Sequence, residues 1–103
     1  DTRETVVVFR KWKGELEGIL ALFPYEPWSA GCLLCMSYEH TGQHGAADFY
    51  GCMQNSVKAT EEEYTPLLKE LVRAGYTNIV IKQRINHETM IRKRKEYLSG
   101  TDS

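Results

Sequence analysis

Thr5-Val6-Val7-Val8-Phe9-Arg10-Lys11-Trp12, followed after Lys13-Gly14 by a second apolar stretch from Leu16 to Phe23, decides the fold. The first run is rich in β-branched and aromatic residues, and the short glycine-containing break after it is a hairpin signal. Glu17 and Gly18 weaken the alternation of the second run, and an interior glycine marks a bulge or a close backbone approach. Pro24-Tyr25-Glu26-Pro27-Trp28 is expected to end that strand as a structured loop, because two of its five residues lack a ladder donor. A third run, Cys32 to Tyr38, reads as a central strand, with Leu34, Met36 and Tyr38 on one face and Leu33, Cys35 and Ser37 on the other. Glu39 to Asp48 holds two glycines and no apolar period and reads as a loop; Phe49 to Met53 can then support a short fourth strand.

The second half turns helical. Thr60-Glu61-Glu62-Glu63 has the spacing of a capping box, and its three carboxylates suit the positive end of a helix dipole. Tyr64, Leu67, Leu68, Leu71 and Val72 form one apolar stripe, and Gly75 is placed to stop the helix in the left-handed conformation. Pro66 conflicts with this pattern, so either the helix bends there or Thr65 is its cap. Tyr76 to Gln83, with Ile79-Val80-Ile81, reads as a strand, and Asn86 could cap a last helix from His87 to about Leu98, stopped by Gly100. On that helix Met90, Ile91, Arg94, Tyr97 and Leu98 share a face, with the Arg94 guanidinium expected to reach water past its apolar stem. The expected architecture is a single α+β domain over residues 1–103, with 1–4 and 99–103 flexible. Its small, mainly antiparallel sheet has four to five strands with two helices, in the order β-β-β-(β)-α-β-α.

Composition bounds the function. With 103 residues, 42% of them hydrophobic, one core can bury roughly two-thirds of the unfolded chain's surface without staples. Thirteen Lys and Arg against 14 Asp and Glu leave a net charge of -1, which argues against a surface wholly built for polyphosphate. No stretch approaches the roughly 18 consecutive apolar residues of a membrane span, and the start, Asp1-Thr2-Arg3-Glu4, lacks a secretory pattern. A cytoplasmic setting is expected, and a first residue other than Met is consistent with a trimmed N-terminus. Three cysteines, Cys32, Cys35 and Cys52, fit a reducing compartment; Cys32 and Cys35 fall three apart on a strand, hence on opposite faces, and read as core thiols.

Three clusters could carry chemistry. His40, Gln43 and His44, with Tyr38, Glu39 and Asp48 beside them, offer a histidine-rich loop that could contact a ligand, or a metal or acid-base site built on His40, His44 and Asp48. Only four residues separate the Cys32/Cys35 pair from His40, too few for the return path of a zinc finger. Tyr25 and Trp28 on the proline-stiffened loop are residue types favoured at binding hot spots. Lys82, Arg84, Arg92, Lys93, Arg94 and Lys95, opposed by Glu88 and Glu96, leave +4 over residues 82–96 and could bind phosphates. No nucleophile elbow, phosphate-binding glycine loop, metalloprotease or cofactor motif is present, so neither a catalytic residue nor a cofactor is assigned.

Through Ala21-Leu22-Phe23-Pro24, Ser37-Tyr38-Glu39-His40, Gln43-His44-Gly45 and Ala59-Thr60-Glu61-Glu62-Glu63-Tyr64, the chain resembles a group of small uncharacterised proteins of gut Bacteroidetes and their phages or mobile elements. That resemblance spans most of residues 5–85 and implies a bacterial or phage intracellular setting, with no activity to carry over. The expectation is a non-catalytic binding domain using the loops Pro24 to Trp28 and Glu39 to Asp48 toward a protein partner or small ligand. A metal-assisted hydrolase and a nucleic-acid binder are the alternatives. No membrane partner is expected, and a free sheet edge could pair two copies.

Overall fold

Alternation along the first strand builds a sheet with two apolar faces. In β1 (Thr5–Trp12), Val7 and Phe9 enter one core and Val8 the other. The computed structural model of the chain describes residues 4–13, 18–28, 34–39 and 43–100. Within them β1 pairs antiparallel with β2 (Ile19–Pro27), with Val8 opposite Leu22 and Arg10 opposite Leu20. β2 pairs with β3 (Cys35–Glu39), and β3 with β4 (Gln43–Ala47), both antiparallel. The outer edge of β1 is divided: β6 (Ile79–Ile81) runs parallel to it at Thr5 to Val7, and β5 (Ser56–Lys58) antiparallel at Arg10 to Trp12. The sheet is therefore mainly antiparallel and the class α+β, as the hairpin-linked early strands require.

Helices cover both faces. α2 (Glu61–Arg73) lays Leu67 and Leu71 on Val7, Phe9, Ala21, Phe23 and Tyr38, and Tyr64 stacks on Phe9 with ring centroids 4.5 Å apart. The opposite face, Val8, Leu20, Leu22, Cys35 and Ala47, takes Phe49 of α1 (Phe49–Gln54) and Met90 of α3 (His87–Gly100). The capping box closes reciprocally: Thr60 N–H donates to Glu63 Oε1 at 2.9 Å, and Glu63 N–H to Thr60 Oγ1 at 3.2 Å. The helix thus begins at Glu61, and Thr65 is not its cap; Thr65 Oγ1 instead donates to the Glu61 carbonyl at 2.6 Å. At the far end Gly75 adopts φ +108°, its N–H bonds to the Val72 carbonyl, and Tyr76 N–H reaches the Leu71 carbonyl, the two bonds of a Schellman stop. Asn86 caps α3 through its Oδ1, which accepts from Thr89 N–H at 2.9 Å.

Three expectations for local structure are overturned. Pro24 to Pro27 is not a loop: β2 runs through it, because the register between β2 and β3 jumps from Phe23 opposite Met36 to Pro27 opposite Cys35. Residues 24–26 form an irregularity with no opposing partner on β3, so the donor that Pro24 lacks is not needed there. The second half of the Glu39 to Asp48 segment is strand β4, with Gly45 opposite Ser37, whose Oγ donates to the Gly45 carbonyl at 2.9 Å. Phe49 to Met53 is not a strand but lies in helix α1, where Cys52 N–H bonds to the Asp48 carbonyl and the Asn55 side chain closes on Gly51. The first half of the second apolar run, residues 14–17, and Cys32 and Leu33 lie outside the described residues.

Candidate ligand-binding cleft

The irregularity in β2 borders a cleft in the surface of the described residues. Leaving the ladder at Pro24 exposes that residue's carbonyl, and Arg94 of α3 fills the vacancy: its Nε donates to Pro24 O at 2.7 Å, while Nη2 lies 3.2 Å from Met90 Sδ. Arg94 is 2% exposed. This corrects the expectation of a wet guanidinium in a basic patch. Arg94 faces the sheet with Met90, and its head is taken up by backbone rather than by solvent.

Docked in this way, α3 leaves a cleft of about 780 Å³ against the start of β1, the end of β2 and the turn before β6. Its half-buried wall holds Tyr25, Glu26, Tyr76 and Tyr97 together with Thr5 and Thr89; its exposed rim carries Glu4, Lys82, Lys93 and Glu96. Tyr76 is held by Phe23, with ring centroids 5.1 Å apart and planes 15° from parallel. Tyr25 packs against the other core, so the two rings reach the cleft from opposite faces of the sheet. Among the described residues, the Glu26 side chain forms no hydrogen bond or ion pair. Burial raises its carboxyl above the ordinary carboxylate range. Burial first, and then Glu26, Tyr97 and Tyr38, raise the Tyr76 phenol.

The residues singled out in the sequence fall in several places. Tyr25, Lys82 and Lys93 line the cleft. Trp28, 47% exposed, closes the end of β2, its N–H bonding to the Leu34 carbonyl at 2.8 Å. Tyr38 lies in the core under α2 and away from the cleft lining, and its hydroxyl donates to Glu70 Oε1 at 3.3 Å. Gln43 and His44 stand on β4 opposite Glu39 and Tyr38, while His40 lies outside the described residues. Asp48 precedes α1, with one carboxylate oxygen packed against the position a Gly51 side chain would take. Among the described residues no group of three or more His, Cys, Asp and Glu side chains could hold a metal ion.

The basic residues of the C-terminal segment border two different hollows. Arg92 pairs with Glu96 at 3.8 Å and, with Lys95, borders a shallow hollow of about 410 Å³ beside His87 and Ile91; Lys93 faces the cleft on the other flank. Arg84 is exposed. Cys35 is a buried, free thiol pushed up to about 11, chiefly by burial, so it stays protonated near neutral pH; Cys52 is free and half-buried.

Glu26, Tyr76 and Tyr97 were not singled out in the sequence. The sequence pattern puts Tyr97 on the apolar face of α3 and Tyr76 at the opening of a strand. Only Glu26, a carboxylate flanked by two prolines and two aromatics, carried a local signal. No helix among the described residues is long and apolar enough to cross a membrane. Comparison with protein-family models, with curated proteins and with solved structures gives no match for this chain.

Proposed function

We propose that this chain is a small binding domain whose ligand is taken in the cleft between α3 and the end of β2. The observation that carries the reading is the lining itself: a 780 Å³ hollow with three tyrosines on its wall. Ligand sites combine such apolar and aromatic area with a few polar groups that fix orientation. Three of the residues expected to bind, Tyr25, Lys82 and Lys93, lie on it. Among the described residues the histidine-rich segment contributes no side chain to this cleft, which lies against α3 and not at the β3–β4 hairpin. The division of the basic residues between two flanks of α3, one of them paired to Glu96, weakens the nucleic-acid alternative.

The test is a titration of ¹⁵N-labelled protein with a fragment set of cationic, anionic and neutral members. Amide shifts are expected at Tyr25, Glu26, Tyr76, Thr77, Lys93 and Tyr97. Shifts confined to β4 or to the hollow around His87 and Arg92, or none at the cleft, would overturn the reading.

A further inference from the structure

The wall and the rim of the cleft differ in charge. On the rim, Glu4 and Glu96 stand with Lys82 and Lys93, and Glu96 also pairs with Arg92, so the exposed charges carry no negative excess. On the half-buried wall the only ionisable group other than the tyrosine phenols is the Glu26 carboxyl, without a hydrogen-bond or ion-pair partner among the described residues. Holding an unpaired carboxyl out of water opposes folding, and a cation brought to it would relieve that cost. Three tyrosines share the wall with it. Tyrosine faces attract an ammonium or guanidinium through the ring quadrupole, and do so more strongly once water is excluded. A wall that carries one carboxyl among aromatic rings has the chemistry of a cation pocket, whereas an anion would meet the Glu26 carboxyl there.

We propose that the cleft binds an organic cation, an alkylammonium or alkylguanidinium group, with its charge against Glu26 and its apolar stem against Tyr25, Tyr76 and Tyr97. The proposal rests on the cleft being the binding site. It assigns Glu26 a role that folding alone would select against.

The experiment measures affinity for n-butylammonium and n-butylguanidinium by chemical-shift titration, beside the uncharged isostere n-butanol and the anion butyrate. At least one of the two cations is expected to bind ten-fold or more tightly than butanol, with butyrate weaker still. Glu26→Gln is expected to lower the cation's affinity at least ten-fold while leaving butanol unchanged, and to raise the thermal midpoint at neutral pH by removing the unpaired carboxylate. Tyr97→Leu, a second variant on the helix side, is expected to weaken the cation several-fold. A blocked peptide, acetyl-Gly-Lys-Gly-amide or its Arg counterpart, separates the two sources of such a group. Tighter binding than the free cation marks a side chain of a protein partner, and equal or weaker binding a free amine or guanidine. Butanol or butyrate binding as well as the cations, or full cation affinity in Glu26→Gln, would overturn the charge assignment and leave the cleft as a binding site. A cleft whose amides respond to no probe would overturn both.

Discussion

Glu63 serves two neighbours at once. Its carboxylate accepts from the Thr60 N–H that opens α2 and lies 2.7 Å from Lys11 Nζ on β1, joining the helix start to the sheet. The Lys11 contact first, and then the Thr60 backbone bond, lower its pKa from the ordinary 4.5 to about 2. A carboxyl whose folded-state pKa is depressed stabilises the fold above the unfolded value, and that contribution fades as pH falls through the folded one. Urea midpoints measured between pH 5 and 2 are therefore expected to fall with a component that Glu63→Gln removes; parallel curves for the two proteins over that window would show that Glu63 contributes nothing. Glu63 was legible in the sequence as half of a capping box, because that motif is written in four consecutive residues. Its bond to Lys11 was not, since nothing local joins positions 52 residues apart.

At the scale of elements, what could be read follows the same division between local and distant causes. α2 and its stop were legible because cap, apolar stripe and Gly75 all lie within one stretch. Gly75→Ala is expected to lose about 1 kcal/mol in denaturant unfolding, the strain of a Cβ at φ +108°. Since no atom lies within 4 Å of the Cβ position, an unchanged midpoint would mean that the turn relaxes to negative φ. β1 was legible from its composition down to both ends, Thr5 and Trp12. β4 was hidden because Gln43-His44-Gly45-Ala46-Ala47 has almost no intrinsic strand preference and is held as a strand by its pairing to β3. The continuation of β2 through Pro24 was hidden for the opposite reason: the rule that proline ends a strand holds where a ladder bond is required, and the register shift removes the requirement. The candidate cleft was the least legible part. It is assembled from β1, β2, α3 and the turn before β6, and only Tyr25, Lys82 and Lys93 had been marked.

For the whole molecule, the buried Arg94 connects the two kinds of structure that make the cleft. It ties α3 to the β2 irregularity and shares a face with Met90. Arg94→Met keeps much of the side-chain volume but leaves the Pro24 carbonyl without this donor, a loss of about 1–3 kcal/mol by the cost of an unmet buried acceptor. The expected readout is a lower urea midpoint together with shifted amides at Tyr25 and Glu26. A stability equal to that of the parent would mean that the guanidinium only fills space.

The same contact orders events in time. Pro24 and Arg94 are 70 residues apart, and the guanidinium can surrender its hydration only to a carbonyl already turned out of the ladder. The last helix can therefore dock with its guanidinium desolvated only on a β2 already turned out of register with β3 at Pro24. A ligand seated in the cleft and absent from the unfolded chain would hold α3 against the sheet, and so act as a brake on unfolding.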